Sequence, residues 1–253
     1  MNLGKEKLPW GQDIWKDINR AVHHEVQRVA IASKFLPLYG PIPKALTIPS
    51  EPIAMDGQDQ FSIEEAAVNR LVEVWSEFSL TPQQVEDEMQ LMTARTLAIR
   101  ATNFVIRARD ALIFRDDAAV AADALFVDGE VRYRSGPAGP GFIHSIDPEQ
   151  DAEQIIAIDA EVTGQPRFGE RTFEAVTEGY ARLQDMGHYG PYVLVLHTIP
   201  YSDTHGPQPN TLILPADRIQ PLVTAGFYGT GALPDLTGVL LSLGGKYHGF
   251  GRG

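Results

Sequence analysis

The chain has 253 residues, 43% of them hydrophobic, with 21 Lys and Arg against 33 Asp and Glu for a net charge of −12, and no cysteine. That length can bury a core in one large or two small domains, which excludes global disorder. The missing cysteines exclude disulfides, thiolate metal sites and cysteine nucleophiles, and the acidic balance argues against a general nucleic-acid binder, which needs a basic surface to displace phosphate counterions. Residues 1–10 carry lysines with no apolar core behind them, so no secretory signal is read there. No stretch suits a membrane span either, and the expected location is the cytoplasm.

After Leu8-Pro9-Trp10-Gly11, apolar residues recur at Ile14, Ile18, Val22, Val26 and Val29, which predicts a helix with Asp13 as its cap. It should stop within residues 35–43, where Pro37, Gly40, Pro41 and Pro43 deny it amide donors and helical geometry. Residues 44–59 are Pro-rich without helical period and read as an extended arm. A strand is predicted over 72–78, while 62–70 can be read as its approach or as a short helix capped by Ser62 with Glu65 three residues on. Thr81-Pro82 opens the clearest element, a helix whose apolar positions run from Val85 to Leu112. Unbroken, its roughly 33 residues make a rod on the order of 50 Å.

Asp128-Gly129, between the apolar runs 124–127 and 131–133, signals a hairpin. Residues 136–141 form a Gly/Pro loop, and 147–161, with six acids and no base, a solvated surface segment. A second long helix is expected over 171–185, then a buried strand over 192–196, a loop over 200–209, and short strands over 211–214 and 239–243. Helices and strands are segregated, so the class is α+β.

No catalytic constellation emerges. There is no G-x-S-x-G elbow around Ser135, Ser145 or Ser202. Gly244-Gly245-Lys246-Tyr247 lacks the first P-loop glycine and the magnesium-binding hydroxyl. Gly229-Thr230-Gly231 is followed by Pro234 where a dinucleotide fingerprint needs glycine, so both near misses read as loops. Adjacent His23 and His24 point about 100° apart on a helix and cannot share a metal. Glu86, Asp87 and Glu88 read as compensation of a helix dipole, and Trp75, Phe78 and Phe104 as core or contact residues. No catalytic residue, cofactor or metal site is expected.

Several blocks, in order and register, carry a family resemblance: Leu8-Pro9-Trp10 with its helix, Lys34-Phe35 to Gly40-Pro41, Asp110-Ala111-Leu112-Ile113-Phe114, and Gly190-Pro191-Tyr192-Val193-Leu194-Val195. From about residue 8 to Gly245 the chain resembles the encapsulin shell proteins, once described as linocin-like bacteriocins. The resemblance implies a Hong Kong 97-type phage capsid fold. It divides the chain into an amino-terminal helix and arm (1–41), an extended loop (42–80), a peripheral domain with a spine helix (81–150), an axial domain (151–245) and an atypical tail (246–253). It also implies icosahedral self-assembly around a cargo such as a peroxidase or ferritin-like enzyme.

The same resemblance implies that a hydrophobic cargo peptide docks near Val22, Val26, Val29 and Ser33, although the three valines also fit a plain core stripe. A fivefold pore would be lined by the loop holding Asp203, Thr204, His205 and Gly206, which equally fits a surface turn. The tail has no strand pattern and departs from the family after Gly245. The implied partners are further copies of the chain and a cargo protein, with no nucleic acid and no membrane. A phage-type capsid subunit is the alternative, with a bacteriocin-like or hydrolytic protein behind it.

Overall fold

The computed structural model describes residues 7–37, 47–50, 53–55, 61–63, 67–115, 120–134, 141–146, 148–149, 151–158, 168–207 and 213–244. The chain forms two compact units, one of Met1–Ala30 with Leu38–Gly141 and the other of Ile31–Pro37 with Phe142–Gly253.

In the first unit α1 covers Gln12–Val29. Its N-cap is Gly11, so Asp13 sits in the first turn, where its charge still meets the positive end of the dipole. Ile18 and Ala21 are buried on the face that packs against α4, Thr93–Phe114. After Ala30, a 3₁₀ turn over Ala32–Lys34 ends the helical run, before the first of the prolines.

The segment expected as an arm carries strands. β1 (Thr47–Ser50) pairs antiparallel with β4 (Ala67–Arg70), and nested inside them β2 (Ile53–Met55) pairs with β3 (Phe61–Ile63). The short-helix reading of 62–70 is thereby corrected: both described pieces of it are strands, because a cross-strand partner supplies the backbone bonds that a short isolated helix would have to make alone. β5, Glu73–Trp75, falls inside the expected strand and pairs with β6, Arg132–Arg134, setting Glu73 opposite Arg134.

The hairpin expected at Asp128-Gly129 does not form. Asp123 accepts the Leu125 N–H at 3.1 Å and starts a helical turn, α5, over Ala124–Val127. With that run helical, residues 132–134 take β5 as their partner instead.

The rod expected over 81–115 is broken. α2 (Pro82–Glu86) opens as predicted, with Thr81 and Gln84 forming a reciprocal capping box. After α3 (Glu88–Leu91), Met92 takes left-handed backbone at φ 50°, ψ 33°, and α4 begins beyond it. Such a conformation costs a residue with a Cβ about 1–2 kcal/mol, and nothing in the residue types announces it.

In the second unit, α6 and a 3₁₀ turn, Gly141–His144 (of which Gly141 belongs to the first unit) and Ala152–Gln154, precede α7, Gly169–Asp185, close to its expected span. β7, Tyr192–His197, is buried at every position, as its unbroken apolar run predicts for a strand covered on both faces. Tyr192, Leu194 and Leu196 join Val176, Ile219 and Val223 in the core of this unit.

Residues 200–204 are helical, within α8 (Thr198–Thr204), and the described part of 211–214 is no strand: Leu214 precedes α9, Pro215–Ile219. A strand that the reading missed, β8 (Gly226–Thr230), runs parallel to β7, and β9 (Gly238–Ser242) runs antiparallel on its other side. α8 and α9 supply the crossover that a parallel pair requires. Gly229, read as part of a loop, lies within β8; a Cβ there would stand 2.5 Å from the Tyr201 ring. The tail after Gly244 lies outside the described residues.

Candidate assembly and docking surfaces

α1 and α4 run in the same direction and meet at four-residue steps. Asp17 pairs with Arg95 at 3.0 Å, Ala21 and Ile99 line one small hollow, and Glu25 accepts from Asn103 Nδ2 at 2.9 Å. Glu25 is a carboxylate at a core position, only 5% exposed. Arg28, one turn on, closes a bidentate fork on it, Nε at 2.9 Å and Nη2 at 2.7 Å. The Arg28 bonds, helped by Asn103 and opposed by burial, hold the Glu25 carboxyl below its ordinary value, and the Arg28 guanidinium is raised in turn. Sequence reasoning passed over Glu25. The signal available was a charged residue at the 18, 21, 25 spacing of the buried stripe.

Val22, Val26 and Val29 are half-buried, beside the face that α4 covers and not within its center. They leave an apolar edge along one flank of the helix. Ser33, also half-buried, belongs to the second unit, in the 3₁₀ turn. There Lys34 Nζ stands 5.3 Å from the Tyr228 ring center and Phe35 stacks on the same ring at 6.2 Å. The structure thus brings the three valines together and places Ser33 in a different unit.

The four residues expected at a pore diverge in role. Asp203 Oδ2 accepts the Phe168 N–H at 3.1 Å and so satisfies a free donor at the start of α7. Thr204 is fully buried, its hydroxyl donating to Tyr201 O at 2.7 Å. His205 is exposed, with its ring 4.6 Å from Tyr201 and 5.9 Å from Phe227, and Gly206 is half-buried in the turn after α8. Of the side chains in this set, only that of His205 is exposed, and its Nδ1 lies 2.9 Å from Tyr201 O and 3.2 Å from Thr204 Oγ1.

Among the described residues no group of His, Asp and Glu could hold a metal ion, and no helix is long and apolar enough to cross a membrane. His23 and His24 are both exposed, with His23 Nε2 3.0 Å from Gln27 Nε2. Glu88 is buried and caps α4: its two oxygens accept the Ala94 and Arg95 N–H groups at 2.7 and 3.0 Å. Glu88 stands in the first turn of α3, as its reading as dipole compensation expects, and its carboxylate serves the start of the next helix as well.

The fold these units build is α+β and of the capsid type. A crystallised virus-like particle from Pyrococcus furiosus matches it with a TM-score of 0.52 at 9% identity, covering 90% of this chain and 78% of that one. The sequence narrows the class. Residues 157–249 match the family described as "encapsulating protein for peroxidase". The type 1 encapsulin shell protein EncA of Myxococcus xanthus is 24% identical over 262 aligned positions, covering 96% of this chain and 80% of that protein. The resemblance to the encapsulin shell proteins is borne out, with the family match continuing to residue 249, past Gly245.

Proposed function

We propose that this chain is a structural shell subunit that assembles with copies of itself into a closed, hollow, icosahedral compartment around a cargo protein in the cytoplasm. The observation that carries the reading is the coincidence, over nearly the whole chain, of a capsid-type fold with similarity to an encapsulin shell protein. The chain's part is architectural; any catalysis belongs to the cargo. Such a cargo is a peroxidase or a ferritin-like enzyme, and the description of the matching family favours the peroxidase. It is held through a short hydrophobic targeting peptide against the half-buried edge of Val22, Val26 and Val29. His205 is the exposed side chain at the proposed pore loop, while Asp203 and Thr204 hold that loop in place.

A net charge of −12 favours a protein cargo over a packaged genome. Co-expression with a peroxidase bearing a carboxy-terminal apolar peptide tests the cargo reading. The peroxidase should copurify with the particles and lose that association when the peptide is deleted. Equal recovery with and without the peptide would overturn it.

A further inference from the structure

Residues 83–114 contain neither glycine nor proline, yet the helix they would form is interrupted twice, mildly at Asp87 (φ −90°, ψ 10°) and fully, in left-handed backbone, at Met92. Through α3 the hydrogen-bond ladder runs from Leu91 N–H on Asp87 O to Met92 N–H on Glu88 O, both 2.9 Å, and it resumes with Thr96 N–H on Met92 O at 3.0 Å. Between them, Ala94 N–H and Arg95 N–H turn to the Glu88 carboxylate, at 2.7 and 3.0 Å. A side chain thus accepts two of the bonds that main-chain carbonyls would accept in a continuous helix. A charged acceptor makes these bonds stronger than the neutral ones they replace, which offsets the left-handed Met92.

Little else holds the break. Glu88 is 3% exposed and is the one buried residue of α3, whereas Met89, Leu91 and Met92 are 78%, 59% and 49% exposed. Straightening the segment therefore gives up little apolar packing. It would re-aim α2, whose Val85 carbonyl accepts the Trp10 indole N–H at 2.8 Å, and so also loosen the start of α1.

We infer that Met92 is a two-state hinge in the spine, latched in its broken form by the Glu88 carboxylate, with a helix made continuous through both Asp87 and Met92, from Pro82 to Phe114, as the other state. The device gives one sequence two subunit outlines, and it stands whether or not the chain forms a shell.

The absence of cysteine makes the test direct. Glu86→Cys and Arg107→Cys, both exposed positions on either side of the break, take spin labels, and labelled chain is diluted into excess unlabelled chain so that only intramolecular distances are read. In a continuous helix these positions lie about 32 Å apart along the axis, and the break shortens that. Glu88→Ala should move at least a quarter of the distance distribution to the long value. Met92→Gly, which relieves the left-handed strain, should remove any long component and raise the melting temperature. Should Glu88→Ala fail to fold, Glu88→Gln, which keeps one acceptor, should show a smaller shift in the same direction. A folded Glu88→Ala chain with the wild-type distribution would overturn the hinge, as would a Glu88→Gln chain that shows no long component.

Discussion

Glu25 offers the sharpest test of how α1 is fixed on α4. The carboxylate is buried and takes three hydrogen bonds, two from Arg28 and one from Asn103 on the facing helix. A hydrogen bond to a charged group is worth about 1.5–3 kcal/mol. Arg28 remains in place when Asn103 is removed, so Asn103→Ala should cost about 1.5 kcal/mol, at the lower end. Glu25→Ala should cost about 2 kcal/mol, because Arg28 is exposed enough to find water instead. The double variant should cost less than the sum by about 1 kcal/mol, beyond the few tenths by which independent sites deviate from additivity.

Tryptophan fluorescence in urea reads this unit selectively, since Trp10, Trp15 and Trp75, all the tryptophans of the chain, lie within it. The pH dependence has a definite sign. Glu25 is held below its ordinary value of 4.5, chiefly by the Arg28 bonds, so its contribution is complete above that value and is lost as pH falls through the lowered folded value. The advantage of the wild-type chain over Glu25→Gln should therefore be full at pH 7 and shrink below about pH 4.5. Additive single variants, or an advantage that persists unchanged to pH 3, would refute the reasoning.

Other perturbations separate docking, pore and packing. Val22→Thr with Val26→Thr exchanges two methyl groups for hydroxyls on the proposed docking edge; at about 0.8 kcal/mol per buried carbon, copurified cargo peptide should bind about tenfold more weakly. The fluorescence midpoint should hardly move, and unchanged binding would exclude the valine edge. Asp203→Ala removes the acceptor for Phe168 N–H and should lower stability by about 0.5–2 kcal/mol in calorimetry. His205→Ala should cost about 0.5–1.5 kcal/mol, for the bond between its ring and Tyr201 O, and alter the entry of a small charged dye into assembled particles; identical entry rates would take His205 out of the pore. Gly141→Ala should destabilise by at least about 2 kcal/mol, because φ is +65° and the added Cβ would lie 2.1 Å from the Arg115 carbonyl oxygen; a melting curve like wild type would contradict that geometry.

Elements whose structure rests on their own residues were legible in the sequence. Helix α1 has a single apolar stripe, α7 an uninterrupted period, and β7 an apolar run long enough to be covered on both faces. Misreadings arose where a partner distant in the chain decides. Residues 67–70 are a strand because 47–50 pair with them, and 132–134 turn to 73–75 instead of 124–127. β8 was missed because two glycines weaken its local signal, though Gly229 is what lets Tyr201 lie against it. The break at Met92 was invisible for the converse reason: every residue there suits a helix, and a buried carboxylate four positions earlier makes the alternative bonds.

At the candidate surfaces the valine stripe was legible from spacing alone. The inward turn of Asp203 was not, because Phe168, its partner, lies 35 residues away.

Electron microscopy of the purified chain under near-physiological salt, with its mass in solution read by light scattering, decides whether it assembles. Closed hollow particles of uniform size, built of many copies of this chain, are the expected result. A chain that stays monomeric by mass, with no particles on the grid across a range of concentration and pH, would contradict it.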